Sequence, residues 1–146
     1  MKKIILSFYI SFAYGSLIAP EDGSFLNHTH ILFEWEQVPG ALSYDLQISD
    51  DINFSSIVSE VTDFSLAYIE KNYLNWETTY YWRIRANFSN YSSDWLTPSL
   101  FTTSEALSSS SIDYIEPSQY QEGVTVFGAF FNYFSAAIDH TGKEIW

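Results

Sequence analysis

From Ile31 onward the chain alternates apolar and polar residues with a period of two. Ile31, Phe33 and Trp35 alternate with Glu34 and Glu36. Tyr44, Leu46 and Ile48 alternate with Asp45, Gln47 and Ser49. Tyr80, Trp82, Ile84 and Ala86 alternate with Arg83, Arg85 and Asn87, with Tyr81 as an outward aromatic. A strand points successive side chains to opposite faces, so each run predicts one buried and one wet face. Turn chemistry separates the runs at Val38-Pro39-Gly40-Ala41, at Asp50-Asp51-Ile52-Asn53 and from Ser89 to Asp94. Short strands with this punctuation predict an all-β antiparallel sandwich. Its expected core is Trp35, Tyr44, Leu46, Tyr80, Trp82 and Ile84.

The pattern differs at both ends. Met1-Lys2-Lys3 precedes a short apolar run from Ile4 to Ala13. Positive charge before a run too short to span a bilayer is the layout of a secretory signal peptide. Ala13-Tyr14-Gly15 offers small residues for cleavage after Gly15, with Ala19 as a later alternative. At the other end, residues 104–118 form a Ser-rich linker. Gly123 to Phe127 then reads as a strand, Asn132 to Ile138 as another, and Asp139-His140-Thr141-Gly142 as a turn. Lys143 to Trp146 begins a returning strand. These residues are too few for a core of their own, and a lone hairpin is marginal in water. The expected organisation is therefore a signal peptide over 1–15, a sandwich over 16–103, a linker over 104–118, and the first strands of an incomplete domain over 119–146.

Composition narrows the function. The 146 residues are 47% apolar and 19% aromatic, enough for a packed core rich in strand formers. The formal charge is −12. Loss of Lys2 and Lys3 with the signal peptide leaves four Lys and Arg against 18 Asp and Glu, a charge of −14. Nucleic acid is excluded as a partner, because phosphate binding needs clustered cations. An anionic membrane surface is an equally poor partner after signal cleavage. The chain has no cysteine, which removes disulfides, thiolate catalysis and zinc-thiolate sites.

The candidate chemistry is sparse. His28 and His30 stand two apart, but a metal site needs three or four ligands, and a pair of solvated loop histidines accounts for them. Asp50, Asp51 and Asn53 make an oxygen-rich turn without the spacing or downstream Glu of a calcium loop; turn formation explains these residue types. No phosphate loop, nucleophile elbow or zincin motif is present. The expectation is no catalytic residue, no metal and no cofactor. Asn27, Asn53, Asn87 and Asn90 each open an Asn-x-Ser/Thr sequon, read as chance occurrences. Tyr81, Phe88, Tyr91 and Trp95 gather around one predicted hairpin, where they could stack on a sugar or pack on a neighbouring domain.

Two resemblances sharpen this. Phe33-x-Trp35-x-x-Val38-x-Gly40-Ala41-x-x-Tyr44-x-Leu46-Gln47-Ile48-Ser49, with Asp51-x-x-Phe54 after it, resembles the B–C hairpin of fibronectin type III domains. Leu74 to Tyr80, with Thr78 between, is similar to that family's tyrosine corner, with Trp76 where proline is usual. Trp95 and Phe101-Thr102-Thr103 resemble its last strand. The match spans about residues 19–103. It implies that Trp35 sits between the sheets and that the Tyr80 hydroxyl bonds upstream backbone. Separately, Tyr120-x-x-Gly123-Val124-Thr125-Val126-Phe127 and Ala137-Ile138-Asp139-x-x-Gly142-Lys143-x-Ile145-Trp146 resemble the opening of arylsulfotransferase-type β-propellers, over about 119–146. That family passes a sulfuryl group between phenols through a covalent histidine. His140 lies in the turn and does not match it, so no catalytic residue carries over. Together these imply a non-catalytic accessory module at the front of an exported arylsulfotransferase-like protein, periplasmic or extracellular. The alternative is a stand-alone secreted binding or adhesion module. The expected partner is the adjacent domain of the same polypeptide, with a protein or glycan ligand as the other class.

Overall fold

A computed structural model describes residues 15–107, 110, 116, 118–119, 123–129 and 134–146. The N-terminal apolar run expected to be a signal peptide, most of the Ser-rich stretch expected to be a linker, and the first part of the Asn132–Ile138 segment lie outside the described residues.

Every regular element among the described residues is a strand. One sheet has three strands in the order β1 (Leu17–Ala19), β3 (Ile31–Trp35) and β6 (Ala67–Glu70). A second has five, in the order β2 (Ser24–Leu26), β8 (Ser99–Thr103), β7 (Thr79–Asn87), β4 (Ser43–Ser49) and β5 (Ile57–Asp63). Pairing is antiparallel except between β2 and β8. The first strand is thus split. β1 joins one sheet, the chain turns at Gly23 (φ 77°), and β2 joins the other. The chain changes sheet again between β2 and β3, between β3 and β4, between β5 and β6, and between β6 and β7, which is a Greek-key path.

The period-two reading places the faces correctly. Along β7, Tyr80, Trp82, Ile84 and Ala86 are buried while Tyr81, Arg83, Arg85 and Asn87 are half-exposed. Trp35 and Trp82 meet the core from opposite sheets, essentially without solvent contact. Phe33 packs edge-on against Trp82 at 5.1 Å and against Phe101 at 5.8 Å, and Trp35 lies 5.7 Å from Tyr44. Edge-on geometry brings the positive ring edge to a negative ring face. The Tyr80 hydroxyl accepts from the Asn75 amide at 2.9 Å, closing the expected tyrosine corner. Tyr44 does the same service at the other end, accepting from the Val38 amide at 2.8 Å.

One buried charge holds the sheets together. Glu70, on β6, is fully buried. Its Oε2 accepts from the Ser59 hydroxyl of β5 at 2.5 Å and from the Tyr68 hydroxyl at 3.5 Å. Its Oε1 accepts from the Asn72 and Tyr73 amides at 2.8 and 3.3 Å. β5 and β6 are edge strands of different sheets, so this carboxylate links the two sheets at their edges. Burial and the neighbouring Glu70 charge raise the Tyr68 phenol above its ordinary value.

The C-terminal residues add a hairpin, β9 (Thr125–Ala129) and β10 (Phe134–Ile138), paired antiparallel over five residues. After the Asp139–Gly142 turn, the returning strand bonds to β10. The Ile145 amide donates to the Ala137 carbonyl at 2.8 Å, and Glu144 bridges to Ile138.

Candidate functional site

Two places on the sandwich collect functional side chains. The first is its end, where the C-terminal residues are seated. The Trp76 indole Nε1 donates to the Glu144 carbonyl at 2.8 Å, and Lys143 Nζ donates to the Leu74 carbonyl at 2.6 Å. The Thr29 amide donates to the Ile145 carbonyl at 2.9 Å. The Leu107 amide donates to Glu144 Oε1 at 2.9 Å, and the Ser110 hydroxyl donates to the Gly142 carbonyl at 2.6 Å. Ala136, Ala137, Glu144 and Ile145 are buried. Trp76 occupies the position where the tyrosine corner usually has proline. Its neighbour Glu77 takes a left-handed conformation (φ 53°) as its amide donates to the Ser104 carbonyl at 2.9 Å. The segment so seated is the one that pairs with β10, so the hairpin, marginal by itself, is tied to the sandwich through it.

His30 lies beside this seat. It lines a cleft of about 460 Å³ with Lys71, Asn72, Gly123, Val124, Asp139 and His140. Burial, and the Lys71 charge next, hold the His30 imidazole below its ordinary value. His28 points to a different neighbour, the Asn27 side chain at 3.3 Å, and burial lowers it too. The structure therefore brings His30 to His140 across the chain. No group of three metal-ligating side chains occurs among the described residues. In the Asp139 turn, burial pushes the carboxyl up, but bonds from the Thr141 hydroxyl, the Thr141 amide and the Lys143 amide outweigh it and hold the carboxyl low.

The second place is the outer face of the five-stranded sheet. Arg83 and Arg85 alternate outward on β7. The Arg83 guanidinium lies 3.8 Å from the Phe54 ring centre and 4.5 Å from that of Trp95, and Arg85 lies 4.6 Å from Trp95. A guanidinium is drawn to the negative face of an aromatic ring, most strongly to indole. Both arginines are also held from the strand beside them. Gln47 accepts from Arg83 at 2.8 and 3.1 Å, and Asp45 accepts from Arg85 at 2.8 and 2.9 Å. Of the four aromatics expected to face outward, Phe88 instead packs, partly buried, against the core and stacks on Tyr91 at 4.6 Å, while Trp95 joins the arginines. Trp95 also lines an open cleft of about 550 Å³ with Gly15, Ser16, Asp22, Thr97 and Ser99.

The Asp50–Asn53 turn spends its oxygens locally. Asp51 accepts from the Ser55 amide at 3.0 Å, from the Ser55 hydroxyl and from the Asn53 amide group at 3.3 Å. The Ser55 hydroxyl chiefly holds this carboxyl below its ordinary value. The turn places Phe54, at φ 56°, onto Arg83. The left-handed conformation costs a non-glycine residue on the order of 1–2 kcal/mol, and the cation contact helps to offset it.

A split first strand, three strands facing five, and Greek-key crossings around a central Trp define a fibronectin type III-like, immunoglobulin-like sandwich. Among solved structures, the chain is similar to an Fn3-like protein from Clostridium thermocellum, 17% identical over 58% of this chain and 90% of that chain, with a TM-score of 0.48. No protein-family model matches the chain, and no curated protein matches it.

Proposed function

We propose that this chain is a non-catalytic interaction module of an exported arylsulfotransferase-like protein, and that its sandwich holds the opening strands of the domain that follows. The observation that carries the reading is the seating of residues 143–146 on the sandwich end. Trp76, Lys143 and Thr29 supply three direct hydrogen bonds across that contact, and Ile145 is buried. A flexible tail would have no reason to bury Glu144 and satisfy it with the Leu107 amide. The segment so held is the one that resembles a propeller opening, and Val124 and Val126 at its first strand are exposed among the described residues.

A protease site placed between Ser111 and Ser118 tests the holding role. After cleavage, the two pieces should co-elute on gel filtration in native buffer and part in denaturant. Separation in native buffer would sink the proposal. The non-catalytic half is tested by offering the chain an aryl sulfate donor and a phenol acceptor. Release of free phenol above the buffer rate would overturn it.

The stand-alone binding reading has its own supporting observation, the Trp95 cleft with the Asp22 carboxylate and the Thr97 and Ser99 side chains on its walls. It predicts retention of this chain on an immobilised glycan array, lost in Trp95→Ala.

A further inference from the structure

The sequence allows cleavage of the leader after either Gly15 or Ala19, and the fold treats the two very differently. Cleavage after Ala19 would remove all of β1. β1 forms one edge of the three-stranded sheet, pairs Leu17 with Trp35 and Ala19 with Glu34, and places Leu17 against the core cluster. Cleavage after Gly15 leaves β1 whole and makes Ser16 the first residue. In the uncut chain the Ser16 nitrogen already lies 3.2 Å from Glu36 Oε2, and the Ser16 carbonyl accepts from the Glu36 amide at 2.9 Å.

We infer that the mature chain begins at Ser16 and that its new α-ammonium forms an ion pair with Glu36, pinning β1 to the end of β3. The inference rests on the export reading above. Hydrolysis by a signal peptidase adds one water across the Gly15–Ser16 bond, leaving a carboxylate on Gly15 and an ammonium on Ser16. An amide N–H next to Glu36 thus becomes a full positive charge with three donors, and the contact becomes charge-assisted. Gly15 fits both sides of this event. A signal peptidase needs a small residue there. In the precursor a Cβ at Gly15 would come within 2.8 Å of the Glu36 carbonyl and 3.0 Å of Val38. The other carboxylates near β1 are Glu34, opposite Ala19, and Asp22, on the same cleft wall. Both favour the charged amine in the same sense, but neither has the Ser16 nitrogen within bonding distance among the contacts present.

Mass measurement and N-terminal sequencing of exported protein come first, and should give Ser16. A chain beginning at Pro20 would overturn the inference while leaving export intact. Exported chain still carrying Met1 would overturn both. The pair is then tested independently of export on a chain made to begin at Ser16 by removal of an initiator methionine. Its melting temperature is followed against pH beside that of Glu36→Gln. The amine's folded pKa is expected above the ordinary ~7.7–8.0. The extra stability is therefore full below that range and lost as pH rises through the folded value. The expected gap is roughly 1–4 °C at pH 7, the size an exposed ion pair gives, closing by about pH 10. Parallel curves for the two chains across that range would overturn the pair.

Discussion

The buried carboxylate of Glu70 gives the sharpest stability prediction. It bridges the two sheets through Ser59, and its other oxygen gathers the Asn72 and Tyr73 amides. Replacing Glu70 with Leu keeps an apolar filling but removes every acceptor. The Ser59 hydroxyl is then left without its acceptor at a buried site, and the Asn72 and Tyr73 amides lose theirs at a part-buried one. An unsatisfied buried donor costs about 1–3 kcal/mol. The buried hydroxyl and the two part-buried amides together cost about 2–5 kcal/mol, while removing a buried charge returns part of that. We expect a net loss of about 2–4 kcal/mol against a total of about 5–15. That corresponds to a fall in melting temperature on the order of 10–20 °C. Glu70→Gln retains one oxygen for the two amides and should lose roughly half as much. Thermal melts by circular dichroism at neutral pH make the comparison. A Leu variant melting within 2 °C of wild type would refute the bridging role.

Other substitutions test other links. Trp35→Ala should cost about 3–5 kcal/mol through the cavity it leaves, whereas Trp35→Phe should cost distinctly less, because the buried indole Nε1 has no hydrogen-bond partner among the described residues; denaturant melts separate the two. Tyr80→Phe removes the hydroxyl that accepts from Asn75 and should cost about 1–2 kcal/mol by the same assay. Asp45 carries an acid-side prediction. Burial pushes its carboxyl up, but bonds from Thr62, Asn87 and Arg85, with the Arg85 charge, hold it below the ordinary 3.8. A depressed carboxyl stabilises above its unfolded value and loses that contribution as pH falls through the folded value, so Asp45→Asn should flatten the acid limb of a melting-temperature profile below about pH 4.

Much of the sandwich was legible because its strands have one wet face. The alternation over Tyr80 to Asn87 carries the inward and outward assignment with it. Trp35 and Tyr80 took their expected places because a large aromatic on the buried face has nowhere else to go. The short strands were harder. β1 and β2 have three residues each, too few to show a period, and the split between sheets depends on the turn at Gly23. Glu70 was invisible. A lone glutamate at a strand end reads as solvated, and its donors come from positions 59, 72 and 73, a set no local pattern joins. Tyr81, Phe88, Tyr91 and Trp95 read as one group in the sequence, but the fold divides them and packs Phe88 on the core. Phe54 lies in sequence far from Trp95, and the arginine between them comes from a third segment. Likewise His28 and His30 stand out by their spacing, whereas the fold sets His30 against the C-terminal turn.

The holding of the C-terminal strands is the centre of the functional account, and hydrogen exchange on the full 146-residue chain tests it most directly. The amides of Thr29, Ala137 and Ile145 should be protected together. In Trp76→Phe, which removes the donor to Glu144, Ala137 and Ile145 should exchange at least tenfold faster while amides of β4 and β7 keep their wild-type rates. Ala137 and Ile145 exchanging at open-coil rates in the wild-type chain would contradict the account.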